Sequence, residues 1–476
     1  MIPLTLAEIT DVVAGRAHDI PDPRVQVTGP VVKDSREVVP GALFAAFAGA
    51  RADGHDYAEQ VTAAGAVAVL ATRPVGVPAI VVDDVTAALG ALARHTVRTL
   101  GTAVVALTGS SGKTSTKDLM AQLLEHLGPT VYPQGSLNNE IGLPLTALRA
   151  DAATRHLVLE MGARGIGHIR YLAGLTPPRI GVVLNVGTAH IGEFGGREQI
   201  AEAKGELVES LPPAEEGGVA VLNADDPLVR AMAARTVARP VLFGEAPDAA
   251  VRAENVTLGP DGRPSFTLHT PSGCGDVRLR LYGEHHVSNA LAAAAVAHEL
   301  GLPADAIAQA LTSARTLSQW RMDVTERADG VTVVNDAYNA NPDSMRAALR
   351  ALAAMAGGGA DGVPRRTWAV LGEMAELGES ALAEHDAVGR LAVRLNVSRL
   401  VAVGGREAAW LDMGAKNEGS WGEESVHVSD ARAAVDLLRS ELRPGDVVLV
   451  KASRSVGLEQ VAQALLTDVE GGVAGR

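Results

Sequence analysis

One short turn constrains this chain more than any other stretch. Ala103-Val-Val-Ala-Leu107 is an apolar run of the kind that forms a buried strand, and a helical pattern runs from about Lys113 to Leu127. Between them lies Thr108-Gly109-Ser110-Ser111-Gly112-Lys113-Thr114. A strand, a Gly/Ser turn ending in Lys-Thr, and a helix, in that order, form the context of a phosphate-binding loop. Glycines let the backbone curl so that successive N–H groups face one anion, and the helix N-terminus adds partial positive charge. Gly109, Ser110, Ser111, Gly112, Lys113, Thr114 and Ser115 are the expected nucleotide contacts. Lys113 reaches towards the β- and γ-phosphates, and the Thr114 hydroxyl is a candidate Mg²⁺ ligand. The full Walker A spacing has a glycine where this chain has Leu107, so the loop is a shortened variant.

The pattern around that turn is α/β. His156-Leu-Val-Leu-Glu160 and Ile180-Gly-Val-Val-Leu-Asn185 repeat the buried strand, and a helix follows at Ile200–Ser210, which predicts a parallel sheet with crossover helices. Val251 to Leu281 reads as antiparallel strands turning at Asp261-Gly262, with helices expected at Val287–Leu300 and Ala304–Ala314. Upstream, Val25 to Val32, Gly41 to Phe47 and Ala66 to Leu70 read as strands, Tyr57 to Ala64 and Thr86 to Leu100 as helices, and Gly101 as a helix stop. Past Ser318 the alternation restarts, with strands at Val331–Val334, Thr367–Leu371, Leu400–Val403 and Asp446–Val450, and a surface loop at 356–362. A chain of 476 residues suggests about three domains. The expected fold is therefore α/β in three domains: a small N-terminal α/β domain at 1–100, a central P-loop ATPase-like parallel-sheet domain at 101–316, and a C-terminal Rossmann-like domain at 317–476.

Composition excludes several classes. A hydrophobic fraction of 47% leaves enough apolar surface for packed cores, and with 3% aromatics those cores must be Ala, Val and Leu. A formal net charge of −14 argues against a nucleic-acid partner, which asks for a basic surface. One cysteine, Cys274, excludes an internal disulfide framework or a multi-cysteine zinc site. No apolar run approaches about 18 residues, so no membrane span is expected. The first residues lack the basic start and apolar core of a secretion signal. The expected compartment is the cytoplasm and the expected state a monomer.

Further blocks extend the P-loop into a family pattern. Ala106-Leu-Thr-Gly-Ser-Ser-Gly-Lys-Thr-Ser115 resembles the ATP loop of the Mur ligases, which build the peptide stem of bacterial cell-wall precursors. Asp34-Ser-Arg-Glu37, Pro40-Gly-Ala-Leu-Phe44 and Asp53-Gly-His-Asp56 are similar to the family's N-terminal domain. Leu137-Asn-Asn-Glu-Ile-Gly-Leu-Pro144, Leu159-Glu-Met-Gly-Ala-Arg164, Asn185-Val-Gly-Thr-Ala-His190, Glu202-Ala-Lys-Gly-Glu-Leu207 and Val221-Leu-Asn-Ala-Asp225 follow in family order. The last third carries Asn335-Asp-Ala-Tyr-Asn-Ala-Asn-Pro342, Leu371-Gly-Glu-Met-Ala-Glu-Leu-Gly378 and Val450-Lys-Ala-Ser-Arg454. One departure is His286 in Gly283-Glu-His-His286-Val-Ser-Asn289, where the family usually has Asn.

The resemblance implies an ATP-dependent, ADP-forming amide ligase joining D-alanyl-D-alanine to UDP-N-acetylmuramoyl-tripeptide, through an acyl phosphate that the incoming amine attacks. It implies ATP and Mg²⁺, with Lys113, Glu160, His190 and Lys204 catalytic. Strand C-terminal ends open into the ligand crevice of a parallel sheet, so Thr114, Glu160 and His190 can converge there. The family match carries Glu160 and His190 to the metal, and Lys204 to a carbamylated form that would turn a cation into an anionic ligand. It likewise carries Asn289 towards adenine, and Arg321 and Asp336 to the ATP phosphates and ribose once the third domain closes on the second. Ser35, Arg36, Asp53 and His55 are candidates for the uridine-nucleotide end. Asn138, Asn139, Tyr338, Asn339, Asn341, Lys451, Ser453 and Arg454 are candidates for the peptide end. The alternatives are a sister ligase adding the third stem residue, a polyglutamylating ligase, and a nucleotide-binding relative without catalysis. A dehydrogenase is disfavoured because the loop ends in Lys-Thr, and Gly404-Gly405 is too short a signal.

Overall fold

The computed structural model describes residues 1–49, 52–188, 191–358, 363–419 and 423–471. Three α/β sheets follow one another along the chain, preceded by a small antiparallel pair, Leu4–Thr5 with Gln26–Val27.

The first sheet has the order Arg16–His18, Ala79–Val81, Ala68–Ala71, Leu43–Ala45, Val31–Val32, parallel except for its first pair. The expected strand from Val25 to Val32 is divided between this sheet and the antiparallel pair. Gly29-Pro30 is the cause: Pro30 has no N–H, and a side chain on Gly29 would sit 2.7 Å from the Ala42 nitrogen. The helix Val85–Leu100 starts on the Asp84 carboxylate, which accepts the Thr86 N–H at 2.7 Å, and ends at Gly101 with φ +61°.

The second sheet has nine strands in the order Gly273–Arg278, Pro264–Thr270, Val251–Leu258, Arg239–Gly244, Val219–Asn223, Ile180–Val183, Ala103–Thr108, His156–Glu160, Thr130–Val131. The P-loop strand Ala103–Thr108 is interior, between His156–Glu160 and Ile180–Val183. The expected antiparallel strands are present and turn through 259–263, with Gly262 at φ +78°. They extend the parallel sheet, because Val251–Leu258 also pairs in parallel with Arg239–Gly244. One face carries the helix Lys113–Leu124 beside His285–Glu299, whose alanines 290 and 292–295 are fully buried. Small side chains there let the two helices approach closely, as the scarcity of aromatics requires.

The third sheet runs Asp323–Glu326, Thr332–Asn335, Val447–Lys451, Thr367–Gly372, Arg399–Val403, Ser425–Val428, parallel except for its first pair. Its two faces are buried under separate apolar clusters, one around Leu349, Leu371 and Leu411, the other around Trp368, Val450 and Val461. Of the loop expected at 356–362, residues 356–358 form a 3₁₀ turn, and 359–362 lie outside the described residues. No helix among the described residues is long and apolar enough to cross a membrane.

Candidate active site

Sheet register builds the site. Glu160 is paired with Leu107, so it ends its strand beside the start of the P-loop. Its side chain is 1% exposed, and a carboxylate buried to that degree must be hydrogen-bonded. The Thr114 hydroxyl donates to Glu160 Oε2 at 3.0 Å, Ser136 Oγ donates to Oε1 at 3.2 Å, and Asn138 Nδ2 donates to Oε1 at 2.7 Å. Thr114 and Ser136 hydroxyls lie 2.8 Å apart. Three side chains from two chain segments thus meet on one carboxylate. Ser136 has no counterpart among the expected site residues, although Leu137-Asn-Asn-Glu-Ile-Gly-Leu-Pro144 begins one residue after it.

Asn185 shapes the other side of the loop. Its Oδ1 accepts the Ser110 and Ser111 N–H groups, each at 2.9 Å, and its Nδ2 donates to Ser111 O at 3.2 Å. The helix Lys113–Leu124 that follows has Gly112 as N-cap at φ +79° and no side-chain cap, so its first N–H groups are left for an anion. A Cβ on Gly112 would lie 2.5 Å from Asn289 Oδ1, so glycine is required both for the backbone angle and for the approach of Asn289. Asn289 Nδ2 lies 3.4 Å from His286 Nδ1, and His286 Nε2 is buried with no hydrogen-bond partner.

Cations outnumber the anion at this point. Lys113 Nζ donates to Gly109 O at 2.7 Å, and burial lowers its pKa against the opposing pull of Glu160. Lys204, on the helix Arg197–Glu209, is 5% exposed. Burial, then the Lys113 ammonium, pushes its pKa well below the ordinary lysine value. The Glu206 carboxylate of the same helix accepts the Gly167 and Arg170 N–H groups. Among the described residues Lys204 has no ion pair. His190 lies outside the described residues.

The third sheet already reaches the loop. Arg321 Nη2 lies 3.3 Å from Thr114 Oγ1 and 3.4 Å from Ser136 Oγ, and its guanidinium stacks 4.1 Å from the Tyr338 ring. Arg321 therefore meets the P-loop threonine with no additional closure. Asn341 caps the helix Pro342–Met355 and donates from Nδ2 to Ser110 O at 3.4 Å. Asp343, in the first turn of that helix, accepts the Thr188 N–H at 2.9 Å.

The remaining expected residues divide. Asp336 is not paired with Arg321: its Oδ2 takes the buried Lys451 ammonium at 2.6 Å and its Oδ1 the Met322 N–H at 3.1 Å. Asn339 accepts from Lys451 through its backbone oxygen at 2.9 Å. Ser453 Oγ accepts the Ala375 N–H at 2.8 Å, and Arg454 stacks on Trp320 at 4.4 Å. Asn139 Oδ1 accepts the Gly142 N–H at 2.8 Å, at the start of the helix Gly142–Ala147. In the first sheet, His55 is buried with Nδ1 on Asp53 and Nε2 accepting the Thr72 N–H at 3.0 Å, so both its nitrogens serve the local fold. Arg36, paired with Asp34, and Ser35 sit on an exposed 3₁₀ turn. None of the hydrogen bonds among the described residues joins these four to the P-loop cluster.

The architecture and loop define a three-sheet α/β protein built around a P-loop nucleotide site. The chain belongs to the Mur ligase family: the family's catalytic-domain, middle-domain and glutamate-ligase-domain profiles match residues 31–96, 107–297 and 320–454. It is 52% identical to the UDP-N-acetylmuramoyl-tripeptide–D-alanyl-D-alanine ligase of Mycobacterium tuberculosis, over 98% of each chain. It is 36% identical to the Escherichia coli ligase of the same name, over 98% of this chain and 99% of that one. Among solved structures it resembles MurF from Acinetobacter baumannii, with TM-score 0.85, 32% identity and coverage of 98% and 99%. It also resembles MurF from Thermotoga maritima in complex with ADP, with TM-score 0.79, 30% identity and coverage of 94% and 99%.

The histidine pair gives a pH signature. Burial lowers the His285 pKa from 6.5 to about 4, with Lys451 lowering and Asp336 raising it, and His286, with its ring 4.3 Å away, is also pushed well down. The unfolded chain binds these protons below about pH 6.5 while the folded chain does not, so this contribution to stability is lost as pH falls towards about 4. Urea midpoints at pH 7 and pH 5 should fall further in the wild type than in His286→Asn; equal falls would show that the pair does not resist protonation.

Proposed function

We propose that this chain joins D-alanyl-D-alanine to UDP-N-acetylmuramoyl-tripeptide, converting ATP to ADP and phosphate, in peptidoglycan precursor synthesis in the cytoplasm. The match along 98% of both chains to ligases that carry these substrates in their names supports the reading, and it sets the substrate choice. The geometry supports the reaction class. A tripeptide carboxylate oxygen attacks the γ-phosphorus and ADP leaves; the dipeptide amine then attacks the acyl carbon and phosphate leaves. Both steps gather negative charge, and the buried cations face that demand.

In this reading Gly109–Ser115 hold the ATP phosphates, and the Lys113 ammonium exchanges Gly109 O for the transferring phosphoryl group. Thr114 and Glu160 offer hard oxygen donors beside the loop, the donor type that suits Mg²⁺. Bound there, Mg²⁺ supplies charge neutralisation for phosphoryl transfer. By family resemblance His190 belongs to the same shell. Asn138 and Ser136 hold the Glu160 carboxylate in orientation, Arg321 supplies a further positive charge at the phosphates, and Asp336, held by Lys451, and Asn289 border the nucleoside. We assign Ser35 and Arg36 to the uridine end with Asp53 and His55 shaping that sheet edge, and Tyr338, Asn339, Asn341, Ser453 and Arg454 to the peptide end. The domain limits 1–100, 101–316 and 317–476 accord with the helix stop at Gly101 and with the anchoring of Ser318.

Purified protein with ATP, Mg²⁺ and a panel of UDP-muramoyl peptides and amines, read by mass spectrometry, tests the assignment. Amide product with UDP-muramoyl-tripeptide and D-alanyl-D-alanine, together with ADP, is expected. Product with UDP-muramoyl-dipeptide and a diamino acid alone would make it the sister ligase, and no amide product with any pair would make it a nucleotide-binding relative.

Lys204 is proposed to work as its carbamate. Burial and the neighbouring Lys113 push this amine towards the neutral form that takes up CO₂; its nitrogen bonds the carbon, a proton leaves to solvent, and the anion so formed would neutralise Lys113. Lys204→Ala should lose activity on the order of 10²-fold or more, with partial return on adding short carboxylic acids. Lys204→Arg should stay inactive. Full activity of the arginine variant would end this assignment.

A further inference from the structure

Two ionisable residues lie buried beneath the segment that joins the second sheet to the third, with no role in the chemistry above. Lys117 and Asp118 are 1% and 3% exposed, on the helix Lys113–Leu124, one turn beyond Lys113 and Thr114 and on the same face. The Lys117 ammonium donates to the Asp118 carboxylate, to Pro133 O at 3.0 Å and to Ser318 Oγ at 3.1 Å, which uses its three protons. Asp118 accepts the Ser318 N–H at 2.9 Å and its hydroxyl at 3.1 Å. One turn on, Gln122 exchanges two hydrogen bonds with the backbone of Arg315, each at 2.9 Å.

The two backbone points that this pair grips are equivalent in what they carry. Pro133 lies three residues before Ser136, and Ser318 three residues before Arg321. Ser136 and Arg321 both join Glu160 in closing on Thr114. The path from Ser318 to Arg321 has no slack. Trp320 and Met322, on either side of Arg321, are non-glycine residues at φ +59° and +50°, a strained backbone that persists only where its surroundings fix it. Beyond Arg321, the Met322 N–H is held by Asp336, the Trp320 carbonyl accepts the Tyr338 N–H at 3.3 Å, and Arg454 covers the Trp320 ring.

We propose that Lys117, Asp118 and Ser318 are positioning residues that aim Arg321 and Ser136 at the P-loop threonine. A buried ion pair contributes little net stability compared with apolar residues of the same size, so its retention here is accounted for by the geometry it imposes. The pair acts as the fixed end of the crossing strap, three residues before the Arg321 guanidinium that meets Thr114 and Ser136.

The proposal rests on the nucleotide reading of the P-loop and is tested apart from the identity of the amide substrates. Removing either charge would leave its partner buried and unpaired, so the variant of choice is Ser318→Ala, which deletes one hydroxyl and leaves Lys117–Asp118 intact. Binding of a non-hydrolysable ATP analogue with Mg²⁺ is measured by calorimetry for wild type, Ser318→Ala, Arg321→Ala and the double variant of the full chain. Steady-state turnover is measured on the same four proteins. Ser318→Ala is expected to lower kcat on the order of tenfold and weaken the analogue, with the KM for the UDP-linked substrate unchanged. In the Arg321→Ala background the same substitution should cost no more than about twofold, because the group it aims is already gone. Wild-type kcat and analogue affinity in Ser318→Ala, or an equal loss with and without the Arg321 side chain, would overturn the proposal. A wild type that binds the analogue but makes no amide would refute the substrate assignment alone, and the binding cycle would still decide the role of Ser318.

Discussion

A carboxylate that must be buried and must not be left unpaired organises this molecule. Glu160 is placed by sheet register beside the P-loop, at the buried end of a strand. It draws in Thr114 from the loop, and Ser136 and Asn138 from the segment before the helix Gly142–Ala147. Leaving a buried charge without such partners would cost several kcal/mol, on the order of a domain's whole stability margin. The conformation of two loops is therefore tied to one side chain, and the threonine expected to meet a metal is oriented before any metal arrives.

Around that anion stand Lys113, Lys204 and Arg321. Desolvation weakens the charge on both lysines, so the cluster gains most when an anion enters. Triphosphate is such an anion, and a carbamate on Lys204 would be another. The third sheet contributes to the same point through Arg321 and the Asn341-capped helix, so the nucleotide site is shared between sheets rather than owned by one. That sharing gives a ligase a means of linking phosphate binding to the arrangement of a distant amine substrate.

What was legible in the sequence follows how local each signal is. The P-loop, the strand ending in Glu160 and the helix stop at Gly101 depend on neighbours in the chain, and they lie where spacing predicts. The strands Val219–Asn223 and Arg239–Gly244, interior to the second sheet, and Ser425–Val428, at the edge of the third, were not among the expected strands, and their place depends on sheet order, which no local pattern encodes. The same holds for the site. Glu160 and Lys113 were visible as motif positions, whereas Ser136, Asn185 and the Lys117–Asp118–Ser318 group act through contacts between segments that lie from 16 to 201 residues apart in sequence. A signal was available for Lys117: it follows Lys113 by one helical turn, on a face that the P-loop threonine obliges to be buried. Arg321 and Asp336 were both carried to the nucleotide by resemblance, yet only Arg321 reaches the P-loop threonine, because Lys451, brought alongside by its parallel strand, takes the Asp336 carboxylate.

The central claim is that Glu160 and Thr114 form the oxygen face on which a divalent cation and the nucleotide phosphates meet. Calorimetric titration of a non-hydrolysable ATP analogue into wild type and Glu160→Gln, each with and without Mg²⁺, addresses it directly. Glutamine keeps the size and one acceptor but removes the charge. The account predicts that Mg²⁺ tightens binding to the wild type at least tenfold, on the order of 1.4 kcal/mol, and that this gain vanishes in the variant. An equal gain from Mg²⁺ in both proteins would contradict it.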